Sequence, residues 1–170
     1  MENIQEVILT RRSIRKYISK PITNDQVENL LKAAMYAPSA RNEQPWHYIV
    51  INDRYILDKI IEAHPYANML KEAALAIIVC ADDNIEKTEG YWVQDCSAAT
   101  QNILLAAHAM GLGSVWLGVY PREERILAIK TLFKLPENIQ PLSIIAIGHP
   151  DEQKAMPERY FKNRIHTNQW

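Results

Sequence analysis

Four cations crowd around one hydroxyl in the stretch RRSIRKY, where Arg11, Arg12, Arg15 and Lys16 flank Ser13. A guanidinium fork can hold two oxygens of one phosphate while a serine hydroxyl and free backbone amides take the rest, so the stretch suits a phosphomonoester. The same cations would also complement the end of a helix macrodipole with no ligand at all, because residues 2–10 carry Ile4, Val7 and Ile8 at helical spacing and stop at the cluster. The loop PSARNEQPW, residues 38–46, carries Ser39, Asn42 and Gln44, which can hydrogen-bond a heteroaromatic ring or a sugar, or make a plain turn. Asn68 and Lys71 share a face if their segment is helical, or sit on a solvated turn. Gly118 interrupts an apolar run, as a glycine does where a ligand approaches the backbone or where a strand bulges.

Other chemistry is missing. Gly90, Gly111, Gly113, Gly118 and Gly148 form neither a P-loop nor a dinucleotide fingerprint. His47, His64, His108, His149 and His166 are scattered without ligand spacing, so no metal is implied and each reads as a surface or capped histidine. Ser39 and Ser114 lack a nucleophile-elbow context, and no carboxylate pair sits in an obvious catalytic loop. Anion donors and an amide-rich loop without an acid, base or nucleophile describe an enzyme whose cofactor carries the chemistry.

The elements that must position these groups follow from periodicity. The chain has 170 residues, 48% of them hydrophobic, which is the length of one domain with an ordinary core. A net charge of −1 argues against a nucleic-acid footprint and favours a small anionic ligand. Cys80 and Cys96 lie inside apolar runs and read as buried thiols of a reducing cytosol, and MENIQEVI does not read as a signal peptide. With no apolar run of membrane-spanning length, the expectation is a soluble, cytoplasmic protein. Thr23 and Gln26 form a capping box before a helix that closes at Ala37-Pro38. A strand is predicted over 46–52, a helix over 53–63, a buried strand over 75–81 and a long helix over 89–110 that lies at the middle of the protein. A strand over 114–120, a helix over 122–133 and a strand over 140–148 complete about four strands and five helices, a layered α+β sandwich.

Taken together and in this order, RRSIRKY, PSARNEQPW, Asn68-x-x-Lys71, GLGSVWLGVYP and IAIGHP resemble the FMN-dependent nitroreductase family across nearly the whole chain. The resemblance implies a three-layer α+β sandwich with a mixed central sheet, and an intertwined homodimer with FMN at the interface. It also implies electron transfer from NADH or NADPH to nitro compounds, quinones or flavins. Carried over by position, Arg11, Arg12 and Ser13 match the segment holding the FMN phosphate and ribityl chain, and Arg15 the cation at the flavin N1/O2 edge. Pro38, Ser39, Asn42 and Gln44 match the loop offered by the partner subunit, and Asn68 and Lys71 match residues near the pyrimidine ring. Leu117 and Gly118 match the strand end whose N–H groups face N5 and O4, with Trp116 beside them. Arg159 matches a C-terminal basic residue that reaches the phosphate, a role Lys162 or Arg164 could also fill. A non-catalytic FMN-binding module and a flavin-fragmenting or dehalogenating relative are the alternatives.

Overall fold

A computed structural model describes residues 3–170, so the predicted helix start at residue 2 lies outside the described residues. The first helix, α1 (Ile4–Thr10), starts where the Asn3 side chain accepts the Gln5 N–H. Helix α2 (Asn24–Met35) has the predicted box, with the Gln26 N–H donating to Thr23 and the Thr23 N–H to the Gln26 side chain. Asp53 caps α3 (Arg54–Ala63) with a single bond, its side chain accepting the Ile56 N–H at 3.0 Å. The Glu86 carboxylate accepts the Trp92 N–H at the start of α4 (Trp92–Ala109), which sets that helix three residues later than periodicity indicates. Helix α5 (Glu123–Phe133) ends on Lys134 in the left-handed conformation.

Five strands make the sheet: β1 (Tyr17–Ile18), β2 (Trp46–Ile51), β3 (Leu75–Asp82), β4 (Gly113–Gly118) and β5 (Ile139–Pro150). Strand β5 pairs with β1, β3 and β4, and β3 pairs with β2. The expected mixed sheet is antiparallel in each ladder between these strands; among the described residues, parallel pairing is confined to the bridge Ser13–Ser114. The physical reason is connectivity, since β5 reaches back between strands from both halves of the chain and runs against each of them. Two-residue β1 was missing from the predicted set because two residues leave no alternation to read.

Both sheet faces are buried, and β3 shows why. Leu75, Ile77, Val79 and Ala81 point into one core with Leu30 and Ala34 of α2 and Cys96, Ile103 and Ala107 of α4. Ala76, Ile78 and Cys80 point into the other with Leu57 and Ile60 of α3 and Ile129 of α5. This is the expected three-layer sandwich, written as a period of two within one continuous apolar run. Each fully buried Ile or Leu contributes about 1.5–3 kcal/mol of transfer free energy. Helix α4 packs on the sheet and against α2, where Asn102 Nδ2 donates to the Ala33 carbonyl at 2.9 Å. No helix among the described residues is long and apolar enough to cross a membrane.

Candidate cofactor site

The segment after α1 is seated by two glycines that face each other across the sheet. Gly113 of β4 pairs with Gly148 of β5. A Cβ on Gly113 would lie 2.7 Å from Ile14 Cγ2, and one on Gly148 would lie 2.7 Å from Tyr17 Cδ1. The missing side chains are therefore the seat of RRSIRKY. The Tyr17 hydroxyl donates to the Ile14 carbonyl at 2.5 Å, and the Ile14 N–H donates to Ser114 O at 3.0 Å. Burial pushes the Tyr17 phenol well above its ordinary range, so it stays a neutral donor.

From here the C-terminal segment is sewn to the cation stretch in one continuing register. Tyr17 pairs with Pro150 and Ile18 with His149. At the same offset the Asp151 N–H donates to Lys16 O at 2.9 Å, and the Arg15 N–H to the Glu152 carboxylate at 2.6 Å. Lys154 Nζ donates to Ser13 O at 2.7 Å, and Arg12 Nε to Ala155 O at 3.1 Å. Side chains thus take over a ladder that backbone groups began, and the chain continues through Met156 to Arg159, beside Arg11.

Arg11, Arg12, Met156 and Arg159 line a cavity of about 640 Å³ together with Gln101 of α4. Arg11 Nη1 is buried and has no hydrogen-bond partner. Burial lowers its pKa, with the neighbouring cations Arg12 and then Arg159 adding to the depression, and Glu158 lines the same cavity. Arg12, in contrast, spends its guanidinium on the carbonyls of Leu9, Arg11 and Ala155. It buttresses the cluster, while Arg11 and Arg159 face the cavity. Arg15 is exposed and does not line this cavity. Lys162 and Arg164 lie in a short 3-10 turn further along, where Arg164 sits over the Phe161 ring.

The end of β4 presents a backbone edge. Ser114 gives its carbonyl to Ile14, away from β5, whereas the Val119 N–H donates to Leu142 O on the β5 side. By alternation the N–H groups of Trp116 and Gly118 point away from β5, and that of Leu117 points toward it. Gly118 ends the strand rather than interrupting it, because its carbonyl accepts from both His64 Nε2 and Arg125 Nη1 at 2.9 Å. Nothing lies within 4 Å of where a Gly118 Cβ would be, so packing within this chain does not require the glycine. His64 is a capped histidine rather than a surface one: it is the buried C-cap of α3, with Nδ1 accepting the Tyr66 N–H at 3.2 Å, which puts its proton on Nε2. Arg125 also stacks over Tyr66, 5.2 Å from the ring centroid.

Asn68 and Lys71 lie exposed on a 3-10 turn, Asn68–Lys71, where residues three apart share one face. The Arg54 guanidinium holds the carbonyls of Leu70 and Lys71 and fixes that turn. Pro38, Asn42 and Gln44 are exposed and Ser39 half-buried in a loop pinned to the start of α4, and none of them lines the Arg11 cavity. The structure therefore brings together Arg11, Arg12 and Arg159, and Ser13 with β4, and leaves the 38–44 loop apart from them. Sequence reasoning missed Glu152, Lys154, His64 and Arg125. Glu152 and Lys154 sit in a polar tail without periodicity, but Gly148 shortly before them was a readable sign of close approach.

A buried guanidinium nitrogen without a partner, a cavity lined by Arg11, Arg12 and Arg159 together with Glu158, and open space beside the Gly118 backbone have the make-up of a cofactor cradle, and the donor set fits the phosphate and the flat ring of FMN. The chain belongs to the nitroreductase family, a family of oxidoreductases, which it matches over residues 8–149. It is 52% identical over 174 residues to a protein from Archaeoglobus fulgidus provisionally named NADH dehydrogenase/NAD(P)H nitroreductase, spanning 100% of both chains. An FMN-dependent nitroreductase from Clostridium difficile R20291 superposes with a TM-score of 0.90 at 31% identity, covering 98% of this chain and 99% of that one. A nitroreductase, provisionally identified as such, in complex with FMN from Desulfovibrio desulfuricans superposes at 0.87 with 32% identity, covering 100% and 99%.

Proposed function

We propose that residues 1–170 form a single FMN-binding domain that works as an NAD(P)H oxidoreductase, with a ping-pong exchange between a nicotinamide and a nitro compound, quinone or flavin. The observation that carries this reading is the buried Arg11 Nη1 without a partner, on a residue that lines a cavity with Arg159. A phosphate there would give both guanidiniums an acceptor and offset the burial and, after it, the cation repulsion that lower the Arg11 pKa. The flavin, when bound, supplies the two-electron carrier, accepting hydride from NADH or NADPH and passing it on.

The protein's own groups bind and orient. Arg11 and Arg159 take the phosphate, Ser13 the adjoining chain, and Arg15 a cationic place beside the N1/O2 edge, where fixed positive charge favours the anionic reduced ring. The outward N–H groups of Trp116 and Gly118 face the ring edge, and this assigns the contact to Gly118 rather than to Leu117. Asn68 and Lys71 stand on the pyrimidine side. No side-chain acid or base is needed for hydride exchange.

A second copy of the chain completes the site in this reading. Ile4, Ile8 and Leu9 of α1 and Tyr160, Phe161, Ile165 and Trp170 of the tail are large apolar side chains left exposed. Ile8, Leu9 and Tyr160 among them border the Arg11 cavity, and apolar surface beside the site supports burial against a partner, which would bring its 38–44 loop to the cradle. The test is anaerobic. The purified protein is expected to be yellow, to bleach with NADH or NADPH and to recolour with a nitroaromatic or a quinone. A colourless protein that refuses added FMN overturns the proposal.

A further inference from the structure

The loop at 39–44 is bent into a shape that its residues resist. Arg41, Asn42 and Gln44 have φ of 51°, 57° and 52°, the left-handed region that a Cβ disfavours. Asn tolerates it, but Arg and Gln do so at a cost, and such backbone persists where surrounding contacts over-determine it. Those contacts are present. Within the loop, Ser39 Oγ accepts the Gln44 N–H at 3.0 Å and Gln44 Nε2 donates to Asn42 Oδ1 at 2.8 Å. From outside, the Asp95 carboxylate of α4 accepts the Ala40 N–H at 3.0 Å. Glu43 reaches the other way, accepting the Lys87 N–H at 2.8 Å and the Thr88 hydroxyl at 3.0 Å.

Asp95 is buried, so water cannot substitute for the one backbone N–H it receives. The exposed groups are the opposite set: Pro38, Asn42 and Gln44 face outward, with the amides of Asn42 and Gln44 already locked to each other. A connection between α2 and β2 needs neither left-handed backbone nor a buried carboxylate. Both serve a preformed ligand-receiving surface, because ordering the loop in advance removes that cost from binding.

We infer that Asp95, with Glu43, is a positioning residue that holds the 38–44 loop preformed to receive the flavin mononucleotide of a second copy of this chain. The inference rests on the function proposed above.

It is tested by titrating FMN into the full-length apoprotein as wild type, Asp95→Ala, Asp95→Asn and Glu43→Ala. Circular dichroism and thermal midpoint are read alongside. Asp95→Ala is expected to bind FMN about tenfold more weakly, with exchange of the 39–44 amides accelerated and the spectrum unchanged; Asp95→Asn, which keeps an acceptor oxygen for Ala40, returns to within about threefold of wild type. Wild-type-like binding by Asp95→Ala, or equal damage from Asn and Ala, overturns the inference and leaves the proposed function standing. Should Asp95→Ala fail to fold, Glu43→Ala decides: weakening of about tenfold supports the inference and unchanged binding overturns it. A wild-type protein that binds no FMN sinks the proposed function, and this inference falls with it.

Discussion

Gly113 and Gly148 face each other across the β4–β5 ladder, and Ile14 and Tyr17 fill the two spaces their side chains would occupy. Replacing Gly113 with Ala puts a methyl 2.7 Å from Ile14 Cγ2, so the segment carrying Ser13 and Arg15 must shift. Overpacking of this kind costs about 1–3 kcal/mol, so Gly113→Ala should lower the thermal midpoint and FMN affinity together. Gly118→Ala meets nothing within 4 Å and should leave the midpoint alone while weakening FMN binding. Thermal melts of both apoproteins check the contrast; an equal drop in both would contradict it.

The Glu152 carboxylate that receives the Arg15 N–H is held below the usual carboxylate range by that hydrogen bond and by Lys154. A carboxyl with a depressed folded pKa stabilises the fold fully above its unfolded value, near 4.3, and loses that contribution as pH falls through the lower folded value. Glu152→Ala should therefore lower stability by about 1–2 kcal/mol at neutral pH. The gap from wild type should close on acidification, as read by denaturant melts between pH 7 and pH 3.

His64 shows a linkage of the same sign from a different cause. Burial lowers its pKa, against the hydrogen bond to Gly118 and with Arg125 adding to the depression. The unfolded chain then takes up a proton near pH 6.5 that the folded chain refuses, so stability should fall as pH drops from 6.5 toward the folded value. His64→Gln should be less stable at neutral pH but flatter across that window, measured by urea titration at each pH.

Lys134 closes α5 with φ 50° and ψ 45°, the position where helices favour glycine. Lys134→Gly is expected to stabilise the protein by about 0.5–1 kcal/mol, since relief of the Cβ clash outweighs the added freedom of the unfolded chain. A higher midpoint with unchanged FMN affinity is the expected reading.

Much of the fold was legible because both periods were clear. The continuous apolar run of strand length from Leu75 to Ala81, bounded by Asp82-Asp83, and the capping box at Thr23–Gln26 led directly to β3 and α2. What was not legible is long-range. Nothing local to PDEQK indicates that Glu152 and Lys154 continue a ladder with residues 13–15, because that register is inherited from two residues of β1. Arg12 looked equivalent to Arg11 in sequence; only the placement of the Leu9, Arg11 and Ala155 carbonyls separates buttress from binder. His64 hid for a similar reason, since its two partners are a neighbouring amide and a strand 54 residues away.

Arg11 is the residue proposed to receive the phosphate. Calorimetric titration of the apoprotein with FMN and with riboflavin, for wild type and Arg11→Met, reads this directly. FMN should bind wild type at least about 100-fold more tightly than riboflavin, the equivalent of roughly 2.7 kcal/mol, and Arg11→Met should bring FMN down toward the riboflavin value. Equal affinity of the wild-type protein for the two ligands would contradict the account.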